Sequence, residues 1–155
     1  MENKLELRAY SIVLYQLSPI QAAIQGLHAT IEYGVKFGMD NSSLYFDWAK
    51  NWKTVIVLNG GSSVTLTEAI NFLKDNNIDH CEFNEPDLYN QVTSVSFILD
   101  ERIFDRKKYL DFEEDFDCNE ELPSEREVRY EEWLELVGGE KNALLRNWVK
   151  NFRLA

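Results

Sequence analysis

From Arg8 to Leu99 the apolar residues switch between a period of two and a period near 3.6, which restricts this stretch to stacked layers of strands and helices. "RAYSIVLYQ", Arg8 to Gln16, alternates around Tyr10, Ile12 and Leu14 and is rich in β-branched and aromatic residues, so it reads as a strand. A helix start follows at once. Ser18 suits the N-cap, Pro19 the first helical position, and Gln21 completes a capping box. Within Leu17 to Gly34, the residues Ile20, Ala23, Ile24, Leu27 and Ile31 have the spacing of a core-facing stripe. Gln21, Gln25, His28 and Glu32 project together along one flank of it. The opposite arc holds Ala22, Gly26 and Ala29, small enough for another backbone to approach, whether in packing or in self-association.

"KFGMDNSSLYFDWAKNW", Lys36 to Trp52, is turn-rich and then aromatic, a loop or short helix whose Tyr45, Phe46, Trp48 and Trp52 cap the sheet. "KTVIVLNGG" from Lys53 reads as a strand buried on both faces and ended by Gly60-Gly61. A second helix fits "SVTLTEAINFLKDNN", with a Thr65–Glu68 capping box, a stripe of Leu66, Ala69, Ile70 and Leu73, and a stop at Asn76-Asn77. "DHCEF" is a short strand, Pro86 nucleates a turn, and "VTSVSFIL", Val92 to Leu99, is a further strand. The order β-α-β-α-β-β predicts an α/β fold with a small four-stranded mixed sheet over residues 1–100.

Beyond Leu99 the composition changes, and residues 101–155 read as an acidic segment followed by a helical C-terminal appendage. Asp111 to Glu121 carries seven carboxylates and no base, the pattern of a solvated linker. Val128, Trp133, Leu134, Leu136 and Val137 then suggest one helix ended at Gly138-Gly139. Leu144, Leu145, Trp148, Val149 and Phe152 suggest another, with Lys150 and Arg153 suited to its C-terminal dipole.

Charge narrows the function. Acidic residues outnumber Lys and Arg by 27 to 16, a net charge of −11, and no basic stripe interrupts the excess, so binding to tRNA or other phosphate backbones is disfavoured. The apolar runs are too short to span a bilayer, and "MENKLELR" lacks the apolar middle of a signal peptide, which predicts a cytoplasmic chain with no membrane association. Cys81 and Cys118 define neither a disulfide framework nor a zinc site, and Cys81 reads as a small inert core residue. "NGGSS", Asn59 to Ser63, lacks the Walker lysine and the Rossmann glycine spacing, and reads as a tight strand-to-helix turn. His80, at a helix-to-strand turn, reads as structural.

"AAIQGLHA" on the first helix resembles the type 2 peptidyl-tRNA hydrolases, whose first strand leads into a helix with the pattern Gly-Lys-x-Ala-Ala-Gln-x-x-His-Ala. Aligned on the histidine, Ala23, Gln25, His28 and Ala29 match, and the lysine position holds Gln21. "FNEPDLYNQVTSVSFIL", Phe83 to Leu99, looks like a shortened form of the family's hairpin, with Glu85 or Asp87 as its acid and Thr93 as its threonine. The resemblance covers about Arg8 to Asp100 and implies metal-free, cofactor-free hydrolysis of the ester between a peptide and the terminal ribose of tRNA. It implies that His28 polarises water and Gln25 donates to the oxyanion. Thr93 then orients water or ribose, and Glu85 fixes the His28 tautomer or acts as base, with Gln21, Glu32 and Asp87 at the substrate. Two readings follow. One is an esterase acting on peptidyl- or aminoacyl-tRNA or a smaller ester. The other is a regulatory protein of the same fold that binds a protein partner through its acidic and aromatic C-terminal region; a homodimer is compatible with either.

Overall fold

The computed structural model describes residues 4–112 and 123–155, so Cys118 and the carboxylates from 113 to 121 lie outside the described residues. The chain forms two compact units, one of residues 1–100 with 152–155 and one of residues 101–151.

The first unit holds a four-stranded mixed sheet. Its strands are β1 (Leu7–Val13), β2 (Thr54–Asn59), β3 (His80–Glu85) and β4 (Gln91–Asp100), in the spatial order β2-β1-β4-β3. β1 runs parallel to β2 and antiparallel to β4, and β3 and β4 form an antiparallel hairpin. The helices are α1 (Pro19–Phe37), a short α2 (Leu44–Asp47) and α3 (Ser63–Asp75). α1 begins with the expected capping box, Ser18 accepting from the Gln21 amide while Gln21 reaches back to Ser18. α3 buries the expected Leu66, Ala69, Ile70 and Leu73, but its cap is Ser62 rather than Thr65: the Ser62 side chain accepts from the Thr65 amide, so the helix starts earlier.

α1 meets the sheet with the face opposite to the one its pattern predicts. Ile20, Ile24, Leu27 and Ile31 are between 46% and 74% exposed, whereas Ala22, Gln25, Gly26, Ala29, Thr30 and Tyr33 are buried. The reason lies in the sheet. Alternation places Ala9 and Ser11 of β1, and Ser94 and Ser96 of β4, on the face that α1 covers, and such small residues match a helix of small residues. A Cβ on Gly26 would stand 3.1 Å from the Ser11 Cβ, so the two backbones are close. The contact is also hydrogen-bonded: Thr30 Oγ1 donates to the Gly26 carbonyl at 2.9 Å and lies 2.8 Å from Ser96 Oγ, and Ser11 Oγ donates to the same carbonyl at 3.2 Å. Tyr10, Ile12, Val95 and Phe97 fill the other face of the sheet, with Tyr10 stacked on Phe97 at 5.4 Å.

One further expectation is corrected. The apolar run of β2 forms an edge strand, with Val55 47% exposed, rather than a strand buried on both faces. Its outer edge is met by the chain terminus: Asn59 N–H donates to the Arg153 carbonyl and Ala155 N–H to the Val57 carbonyl. The aromatic segment after α1 forms the short helix expected of it, α2, followed by a π-helical turn, Trp48–Trp52. Trp48 is buried among Leu7, Ala9, Tyr33 and Ile98, with Tyr45 and Trp52 beside it, so these rings do close one end of the sheet.

The second unit contains α4 (Pro123–Val137) and α5 (Glu140–Val149), joined by Gly138 and Gly139 at φ near +95°, a conformation that favours glycine. Ile103, Tyr109, Val137, Leu145 and Val149 are buried. Asp111 is not a solvated linker residue, because Arg146 and Lys150 hold its carboxylate at 2.9 and 3.1 Å. Partial burial pushes its pKa up, but the hydrogen bonds and charges of Lys150 and Arg146 outweigh that and hold it below the ordinary 3.8. A lowered folded-state pKa stabilises the unit fully above the unfolded value, and that contribution is lost as pH falls through the lowered one. Acid titration of the melting temperature, from about pH 5 downward, is expected to show a shallower decline in Asp111→Asn than in the wild type.

Candidate functional site

α1 and the edge strand β3 pass each other in opposite directions, so that Gln25 meets Glu85 and His28 meets Phe83. The flank read from the α1 periodicity is therefore the side of the helix that lies along β3. Gln25, 7% exposed, is its most constrained member. Its Nε2 donates to Glu85 Oε2 at 2.5 Å, its Oε1 accepts from Thr93 Oγ1 at 2.5 Å, and its backbone carbonyl accepts from Ser94 Oγ at 2.7 Å. A donor on one side and an acceptor on the other fix which way the amide points. One Nε2 hydrogen remains without a partner among the described residues.

Consecutive residues of a regular strand face opposite ways, yet both Thr93 and Ser94 bond to Gln25. The register explains it. Phe83 pairs with Ser94 and Asn84 with Val92, so Thr93 is an extra, unpaired residue in β4, a β-bulge. Such bulges re-aim one side chain and are enriched beside active sites. Here the bulge turns the Thr93 hydroxyl onto the Gln25 amide.

His28, one turn beyond Gln25, is half-buried, its ring centroid 4.5 Å from that of Phe83 at a tilt of 54°. Its Nδ1 is buried with no hydrogen-bond partner among the described residues. Glu85 does not bond to it. That carboxylate takes the Gln25 amide on one oxygen and, on the other, the Asp87 N–H at 3.4 Å, which caps the turn Pro86–Leu88.

The structure thus brings Gln25, Glu85 and Thr93 together and sets His28 beside them. Of the remaining expected residues, Asp87 meets the cluster only through its backbone N–H on Glu85, and Gln21 is engaged elsewhere. Gln21 gives its amide oxygen to the α1 cap, accepting from Ser18 N and Oγ at 3.1 and 3.0 Å. Glu32 and Asp87 are exposed. Phe83 and Ser94 contact the cluster and carry no catalytic signature in the sequence; only the small polar residues of "VTSVSF" hint at them. His80 bonds the Ile78 carbonyl through Nδ1 at 2.7 Å, the contact of a residue that shapes a turn.

The charge near the cluster leans negative. No lysine or arginine occurs from residue 9 to 35 or from 75 to 101, the stretches that build the cluster, while Glu32, Glu82, Glu85 and Asp87 do; Lys74, just before the second stretch, pairs with Glu82 at 3.0 Å. The Cys81 thiol is half-buried, and burial raises its pKa, with Glu32 and Glu82 adding to the rise against Lys36; a protonated thiol is a poor nucleophile. Among the described residues no three His, Cys, Asp or Glu side chains converge where they could hold a metal ion, and no helix is long and apolar enough to cross a membrane. In comparisons with protein-family models and with curated proteins, the chain matches none.

Proposed function

We propose that this protein is a divergent relative of the type 2 peptidyl-tRNA hydrolases that hydrolyses an ester, with the Gln25–Glu85–Thr93 cluster and His28 as its site. The bulge at Thr93 carries this reading, because it places a hydroxyl on the amide that the resemblance gives to the oxyanion. Thr93 and Glu85 act as positioning residues that hold the Gln25 amide, leaving its second Nε2 hydrogen for the substrate carbonyl. A partnerless buried Nδ1 is better tolerated as a lone pair than as an N–H donor, so His28 carries its proton on Nε2 and donates to the same oxygen. Water then attacks the acyl carbon and passes its proton to the Glu85 carboxylate. The carbon–oxygen bond to the alcohol breaks as that proton is returned to the leaving oxygen.

The excess of acids over bases in the segments that build the cluster favours a small, uncharged ester over peptidyl- or aminoacyl-tRNA, whose phosphates such a surface repels. A turnover assay with p-nitrophenyl butyrate and with an N-blocked aminoacyl-tRNA is expected to show hydrolysis of the small ester and slower or no release from the tRNA. Rates no higher than the buffer blank on both substrates would discard the enzymatic reading.

One observation favours the second reading, a binding protein. The C-terminal unit holds an open cavity of about 450 Å³, within the range of ligand sites, lined by Phe112, Tyr130, Trp133, Arg146 and Lys150 among others. Its three rings lie 5.2–5.8 Å apart, a surface suited to an apolar or aromatic side chain of a protein partner.

A further inference from the structure

We infer that the outward face of α1 is the contact surface between two copies of this chain. Ile20, Ile24, Leu27, Ile31 and Val35 form one continuous aliphatic strip along a helix of 19 residues, each of them at least 46% exposed. Their joint exposed surface is roughly 500 Å², at the upper end of what a monomer leaves in one patch. Two such faces bury about 1,000 Å² together, the threshold for a specific interface.

The spacing suits a second copy of the same helix. Ile24 and Ile31 fall at a positions and Ile20 and Leu27 at d positions of a heptad, the a/d seam through which identical helices pack. The seam is flanked by Gln21, His28 and the exposed Glu32 on one side and by Ala23 and the buried Thr30 on the other, and the seam residues themselves carry no charge. A chain of net charge −11 repels its own copies over most of its surface, and on the strip itself that repulsion is weakest because its five residues are uncharged. A partner chosen by charge finds nothing on this strip to read. The buried face of small residues supplies the second half of the argument: α1 already has a complete, hydrogen-bonded seat on its own sheet, so its isoleucines are not misplaced core.

Sedimentation equilibrium of the full chain across the micromolar range tests this. The wild type is expected to approach twice the mass of one chain, and Leu27→Glu to weaken association by about 100-fold or more, since each copy then buries a carboxylate. Val64→Glu, at an equally exposed position on α3, is expected to associate as the wild type does. A monomeric wild type overturns the inference, as does a Leu27→Glu variant that still dimerises. A monomeric wild type whose Leu27→Glu variant melts lower would show instead that another segment of the same chain covers the strip. Far-UV circular dichroism of each variant confirms that its fold is kept.

Discussion

His28→Ala is expected to lower kcat/KM for the small ester by about 10²–10³-fold, the loss that follows removal of one oxyanion donor, and to change stability little. These two effects separate because of how the ring is held. Its Nδ1 makes no hydrogen bond, so truncation leaves no buried partner unsatisfied. The loss is confined to the contact with Phe83 and the burial of half an imidazole, about 1 kcal/mol. Gln25→Leu behaves differently: it removes the partner of both Thr93 and Glu85, so turnover and stability are expected to fall together. Urea denaturation beside initial rates distinguishes them. A His28→Ala protein as active as the wild type removes His28 from the site, whatever becomes of Gln25.

Features set by neighbouring residues in the chain were legible in the sequence, and features set by distant pairing were not. Ser18, Pro19 and Gln21 form the α1 cap within four positions, and the stop at Asn76-Asn77 is equally local, Asn77 lying in the left-handed region at φ 52°. The bias of α1 toward its small face depends on Ser11 and Ser96, which lie 15 residues before and 70 residues after Gly26. A periodic count of isoleucines cannot register that partner, and so it assigned the strip to the core. The same holds for β2, since an apolar run does not say whether its strand ends at an edge. Gln25, Glu85 and Thr93 were legible by resemblance alone, because three residues spread over 68 positions have no periodicity in common. What joins them is a bulge without a glycine to announce it, visible only in the pairing of β3 with β4.

Arg146→Ala is expected to produce the largest loss of stability in the C-terminal unit, about 3–5 kcal/mol, the cost of breaking a buried ion pair from one side. The side chain is 3% exposed and holds three segments at once: its guanidinium donates to the Arg102 carbonyl, to the Tyr109 carbonyl at 2.5 Å and to Asp111 at 2.9 Å. Truncation strands two backbone acceptors and leaves the Asp111 carboxylate with Lys150 at 3.1 Å and Arg106 at 4.0 Å, while Leu145 and Val149 nearby lose packing. Hydrogen exchange of the α4 and α5 amides is the appropriate readout, expected to quicken by about 10²–10³-fold if local opening limits it. Pairing Arg146→Met with Asp111→Asn removes the charge at both ends and is expected to recover part of the loss, because an apolar side chain of similar length fills the space and the cations left behind, Lys150 and Arg106, reach solvent. Exchange unchanged in Arg146→Ala would show that the unit is held by its apolar contacts, Ile103, Val137, Leu145 and Val149, and that the guanidinium network is dispensable.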